Sequence, residues 1–213
     1  MKAIQRHTQY ASGFIRGCKH CSGQPMSEID LYLEDKRRAL DSRQERVRQG
    51  KVSAVPLTAR ASVEGRSGVR RIGIRRHAIV SDSQPDFAGF DLGPSSPELQ
   101  LGVLGSCLAH TILIQAALQD LPITSLEVEV AGTFDPRAGT EGFEDIPVHP
   151  RDLTYEVRLD SPAEPSTVQA FRARVEKACP ILNLLRLPQS VSGRFTHTAP
   201  GHGADATLQE TNP

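Results

Sequence analysis

An α+β fold, in which long helices pack on antiparallel sheet, is predicted by three features of the sequence. Strand-like runs rich in β-branched residues lie on both sides of one long apolar segment, before residue 82 and between residues 123 and 160. The apolar segment itself, Leu99 to Gln119, contains no Asp, Glu, Lys or Arg. A second apolar stripe at helical spacing, Val168, Phe171, Val175, Ala178 and Leu182, follows the later strands. At 213 residues and 23.2 kDa, the chain is long enough to bury a sizeable core.

The elements follow in order. Residues 1–25 lack apolar periodicity and read as an irregular segment. Ser27 followed by Asp30 is a capping-box pattern that opens a helix running to Arg48. Ile29, Leu33, Leu40 and Val47 fall near one face of that helix, and six acids and six bases cover the rest, so residues 26–50 are expected to form a solvated peripheral helix lying on the core. Val52–Glu64 and Val69–Arg76 read as strands joined by the turn Gly65-Arg66-Ser67-Gly68. A third strand, His77–Ser81, leads into the loop Asp82–Ser95. Ser96 is read as a helix N-cap, with Pro97 at the first helical position and Glu98 on the positive end of the helix dipole. This helix runs to about Gln119 and is apolar nearly all round, which marks it as the central buried element. Its length is close to a bilayer crossing. Its internal Gln100, Ser106, His110, Thr111, Gln115 and Gln119, with Glu98 and Asp120 in place of cationic anchors, fit a soluble core instead. Pro122 ends it. The strand Ile123–Phe134 alternates Leu126, Val128 and Val130 against Glu127 and Glu129; a loop to Pro150 and a paired strand, Leu153–Asp160, follow. A second long helix starts near Ser166 and is interrupted by Pro180, a last strand is expected over Gln189–His197, and residues 198–213 read as a disordered tail. A buried helix in so small a domain needs cover from more than one side, which a second copy of the chain could supply.

Composition narrows the function. Lys+Arg and Asp+Glu number 25 each, and the zero net charge argues against a nucleic-acid partner. Seven Phe, three Tyr and no Trp leave little material for base- or sugar-stacking platforms. Residues 1–17 contain no continuous apolar run of a secretory signal, so the chain is read as cytoplasmic, with no membrane partner. In a reducing cytosol, cysteines are catalytic, metal-binding or simply buried more often than they are disulfide-bonded. The four here are Cys18, Cys21, Cys107 and Cys179.

Cys107 and Cys179 have apolar neighbours, and two buried, inert thiols are one reading of them. The other reading notes the small residues in Leu104-Gly105-Ser106-Cys107, which allow a backbone or substrate to come close, and the helix break at Cys179-Pro180. The run Gly93-Pro94-Ser95-Ser96-Pro97-Glu98-Leu99-Gln100-Leu101-Gly102-Val103-Leu104-Gly105-Ser106-Cys107-Leu108 closely resembles the start of the central helix in the osmotically inducible protein C / organic hydroperoxide resistance (OsmC/Ohr) family. Glu176-Lys177-Ala178-Cys179-Pro180-Ile181 resembles that family's second cysteine motif, and Phe134-Asp135-Pro136-Arg137 with Gly142-Phe143 resembles its hairpin. The resemblance runs from about Val52 to Phe195, which places an OsmC-like domain at residues 51–197.

The resemblance implies an intertwined homodimer, with antiparallel sheets around two long central helices. It also implies a thiol-dependent peroxidase acting on small hydrophobic organic hydroperoxides, with no cofactor and no metal. Cys107 would match the peroxidatic cysteine and Cys179 the resolving one, their disulfide being reduced by an external dithiol, typically a lipoylated protein. In the family an arginine held by a glutamate activates the thiol. Glu98 matches the glutamate, and Arg66 is the nearest positional match for the arginine, with Arg75 and Arg76 as competitors. Nine residues of helix put Glu98 about 13–14 Å from Cys107 along the axis and half a turn round. Glu98 therefore acts, if at all, through an arginine or from the partner subunit. His110, three residues after Cys107, shares its helical face and is either a polar core residue or a group that orients or protonates a leaving group. Cys18-Lys19-His20-Cys21 lacks the second ligand pair of a structural zinc site and the βα context of a redox motif, and is read as peripheral. A non-catalytic redox sensor or small-molecule binder on the same fold is the alternative.

Overall fold

The computed structural model describes residues 27–197 and a short strand at residues 206–207. The readings placed on residues 1–25, Cys18 and Cys21 among them, and on most of residues 198–213 lie outside the described residues.

Helix α1 spans Glu28–Arg48 and begins with the expected capping box: the Ser27 hydroxyl accepts the Asp30 amide at 3.1 Å, and Asp30 accepts the Ser27 amide at 3.2 Å. Leu33 is its one fully buried side chain, with Ile29 and Leu40 packed partly against the core, which is the narrow apolar stripe that the charge pattern implies. Strands β1 (Arg60–Val63), β2 (Arg70–Ile74) and β3 (His77–Ser81) form an antiparallel sheet in that order. Residues 52–59 have strand-like composition but pair with nothing described, so β1 is shorter than the sequence suggests. Asp82 closes the following loop. Its buried carboxylate accepts the amides of Phe90 at 2.9 Å and Leu92 at 3.2 Å, and a 3₁₀ turn, Pro85–Phe87, fits between.

Helix α2 covers Ser96–Gln119. Its cap is Ser95, one residue before the expected Ser96, because the reciprocal box needs Glu98 at the third helical position. The helix is long and apolar enough to cross a membrane, but α1, α3, α4 and β4 pack around it, and Leu104, Leu108, Ile112, Ala116 and Ala117 lie in the core. Strands β4 (Ser125–Thr133) and β5 (Arg151–Asp160) pair antiparallel, with a bulge at Ala131/Thr133. Their inner face, Leu126, Val128, Val130, Tyr155, Val157 and Leu159, lies on the helical core. Helix α3 (Pro165–Ala178) stops at Cys179, and α4 (Pro180–Arg186) restarts at once, as expected where proline removes an amide donor. The expected strand Gln189–His197 is present only as β6 (Thr196–His197), paired with β7 (Ala206–Thr207).

Candidate functional site

The break between α3 and α4 is what brings the two core cysteines together. Cys179 takes an extended conformation (φ −75°, ψ 113°) as the last cap of α3 and the first of α4, and its side chain is fully buried. Both helices pack on α2, and Cys179 Sγ lies 3.5 Å from Cys107 Sγ. Both thiols are free, and Cys107 is the more accessible of the two. Gly105 lets α2 lie close to the sheet just before Cys107, since a methyl group there would sit 3.3 Å from Val130 Cγ2. Asn183 secures the break by donating to the carbonyls of Cys179 at 2.8 Å, Glu176 at 3.0 Å and Lys177 at 3.3 Å.

Burial pushes the Cys107 thiol above its ordinary value, and the neighbouring Cys179 thiol adds to the effect. The Ile181 amide, at the start of α4, works the other way by favouring the thiolate. The Thr111 hydroxyl donates its proton to the Cys107 carbonyl at 2.8 Å, so the amide is the better-placed donor to sulfur.

Glu98 is exposed and occupied by the helix cap, accepting Ser95 Oγ at 2.6 Å and Ser95 N at 2.7 Å; the same bonds hold its carboxyl below the usual range. Arg66, in the turn between β1 and β2, is exposed and makes no hydrogen bond or ion pair among the described residues; the same is true of Arg75 and Arg76 in the next turn. The chain thus joins Cys107 to Cys179 and leaves Glu98 and Arg66 apart, each on its own surface element. His110 Nε2 lies 2.9 Å from Lys36 Nζ of α1. An ammonium can only donate, so that nitrogen is the acceptor, and the ring is committed to α1.

Sequence reasoning did not single out Glu176 or Asn183. Glu176 accepts Tyr155 Oη and Arg172 Nε at 2.7 Å each and Arg186 at 3.4 Å, and these donors hold its carboxyl below the usual range, Arg172 first. Glu176 stood in the sequence only as the first residue of the second cysteine motif, and the one signal for Asn183 was its nearness to Cys179. A cavity of about 310 Å³ lies between β5, α2 and α3, with Leu108, Ile112, Val157 and Phe171 on its apolar walls and Tyr155, Arg172 and Glu176 also lining it.

Residues 89–192 match the family model described as OsmC-like protein. No curated protein matches the chain. Among solved structures, an OsmC-like protein from Mycoplasma pneumoniae aligns over 63% of this chain and 89% of its own, with 19% identity and a TM-score of 0.54. An organic hydroperoxide resistance protein OsmC from Legionella pneumophila aligns over 63% of this chain and 92% of its own, with 14% identity and a TM-score of 0.46. At 19% identity, the Mycoplasma likeness is one of fold.

Proposed function

An OsmC-like domain spans residues 89–192 of this chain, and from that premise we propose that the protein is a cytoplasmic, thiol-dependent peroxidase for small hydrophobic hydroperoxides. The observation that carries the proposal is the 3.5 Å separation of two free thiols, one partly accessible and one buried at a helix break. In this reading the Cys107 thiolate attacks the terminal peroxide oxygen and the O–O bond breaks. The alkoxide leaves and takes a proton to become the alcohol, leaving a sulfenic acid on Cys107. The Cys179 thiolate then attacks that sulfur. The S–S bond forms, the S–O bond breaks, and hydroxide leaves as water. The sulfurs need to close to about 2.05 Å, a movement within the reach of side-chain rotation and a small shift of the break. A dithiol reductant, such as a lipoylated protein, completes the cycle by two exchanges. Neither a metal nor a cofactor takes part.

Partial burial raises the proton affinity of Cys107, and in this reading Arg66, steadied by Glu98, supplies the opposing positive charge across a homodimer. The sheet β1–β3 supports a second copy. Its register puts Val63, Ile72, Ile74 and Ile79 on one face, and Val63 is 69% and Ile79 41% exposed within the protomer.

The upward push on the Cys107 thiol favours the second reading, a redox sensor or small-molecule binder that does not turn over. Stopped-flow reduction of cumene or tert-butyl hydroperoxide with a dithiol, comparing wild type with Cys107→Ser, separates the two. Turnover that depends on Cys107, and a Cys107–Cys179 disulfide by non-reducing mass spectrometry after one equivalent of peroxide, are expected; no cysteine-dependent turnover refutes the enzyme.

A further inference from the structure

Peroxide chemistry at Cys107 and Cys179 leaves Glu176 unused, yet no other carboxylate among the described residues ties three elements together at the break. Tyr155 Oη reaches it from β5 at 2.7 Å, Arg172 Nε from within α3 at 2.7 Å, and Arg186 Nη1 and Nη2 from α4 at 3.4 Å each. Its backbone carbonyl accepts Asn183 Nδ2 from α4 at 3.0 Å, the same amide that donates to Cys179 O. Glu176 therefore grips both sides of residues 179–180, where Pro180 has no amide to continue the helix. Core packing of Cys179 and Leu182 and the bonds of Asn183 hold the break in place, and the Glu176 carboxylate adds the side-chain link that fixes the angle of α4 against α3 and β5.

We propose that Glu176 is a positioning residue for the resolving step: by bracing α3, α4 and β5 it keeps the Cys179 thiol aimed at the sulfur of Cys107. The proposal rests on the reading of Cys107 as peroxidatic and Cys179 as resolving. It concerns only the second step, in which Cys179 displaces hydroxide from the Cys107 sulfenic acid after an organic hydroperoxide has oxidised it. Glu176 touches neither sulfur and moves no proton in it. The first step is carried by the Cys107 thiolate itself, and α4 enters it only through the Ile181 amide, so the brace bears on it less than on the second step.

Two rates test this on the full chain: loss of the Cys107 thiol after mixing with cumene hydroperoxide, and appearance of the Cys107–Cys179 disulfide in quenched samples analysed by non-reducing mass spectrometry. In Glu176→Ala the first is expected to stay within about twofold of wild type and the second to fall at least tenfold, with sulfenic acid accumulating in a form that dimedone traps. Glu176→Gln, which can still accept from Tyr155, should recover part of the loss. Tyr155→Phe keeps the ring packed and removes one strut, so about a threefold slowing is expected there even if Glu176→Ala folds poorly. An unchanged disulfide rate in these variants, or both rates falling together as a general loosening would cause, overturns the proposal. A wild-type protein that forms no Cys107–Cys179 disulfide overturns the peroxidase reading itself, and this inference falls with it.

Discussion

Cys107 is held by opposing influences that a single side chain cannot balance. Burial and the Cys179 thiol raise its proton affinity, and one backbone amide, that of Ile181, lowers it. If Arg66 from a second copy supplies the missing charge, it should show in the pH dependence of alkylation. The rate of iodoacetamide modification of Cys107 is expected to level off at a lower pH in wild type than in Arg66→Gln, where it should still be climbing beyond pH 9; superimposable profiles would dismiss Arg66. Asp135 offers a separate test. The Arg137 guanidinium beside it draws its carboxyl down to about 2, so the ion pair contributes stability that is complete above the ordinary carboxylate range and is lost as pH falls through about 2. Between pH 4 and 2 the melting temperature of wild type should therefore drop more steeply than that of Asp135→Asn, and parallel curves would show that the pair contributes nothing to folding. Cys107 was legible in the sequence as a cysteine in an apolar helix, and Asp135 and Arg137 only as members of the hairpin run 134–137. The meeting of Cys107 with Cys179 was expected only from the family resemblance, because a contact across more than seventy residues of chain has no local pattern.

Helix α2 owes its limits to local chemistry and its importance to packing. The cap Ser95, Pro97 near the start and the left-handed Asp120 at the end are short-range devices; in the sequence, Ser96, Pro97, Glu98 and Pro122 place the helix correctly apart from one residue at the cap. Gly105 is different: only the close approach of β4 explains it. Alanine there gains helix propensity but presses a methyl against Val130, so Gly105→Ala should be near neutral. Gly105→Leu should lose about 1–3 kcal/mol by denaturant titration, as overpacking of a close contact does. A Gly105→Leu protein as stable as wild type would mean that the sheet yields freely at that point. In the loop after β3, burial opposes ionisation of Asp82, but the amides of Ser83, Phe90 and Leu92 outweigh it and hold the carboxyl below its ordinary value. Removing that acceptor in Asp82→Ala is expected to cost about 1–3 kcal/mol, read by chemical denaturation, and a smaller loss would show that water replaces it. Strands were less legible than helices. Val52–Glu64 and Gln189–His197 have strand composition, but a strand exists only where a neighbour pairs with it, and much of both segments has none here.

At the scale of the whole molecule, the chain has two unequal parts. The helices and the β4–β5 ribbon share one core, whereas β1–β3 pair with one another and present an apolar face with little over it. In the proposed homodimer a second copy covers that face, and the same proposal has it bring Arg66 to Cys107. Sedimentation velocity is expected to give a dimer for wild type. Val63→Asp combined with Ile79→Asp should give a monomer that loses peroxide turnover while keeping the helical signal of the core. A monomeric wild type with full activity would place the activating charge within one chain.

Much of this protein was decided by residues within a few positions of one another. The capping boxes, the proline break, the apolar α2 and the alternation of β4 follow from local sterics and hydrogen bonding, and the two cysteine motifs stand out by their order and spacing. The tertiary structure decided what could not be local. It set the 3.5 Å meeting of Cys107 and Cys179, the commitment of Glu98 to its cap and His110 to Lys36, and the convergence of Tyr155, Arg172 and Arg186 on Glu176. Each of these depends on how helices and strands distant in sequence lie against one another, and that is set by burial of the shared core and by no single stretch of residues.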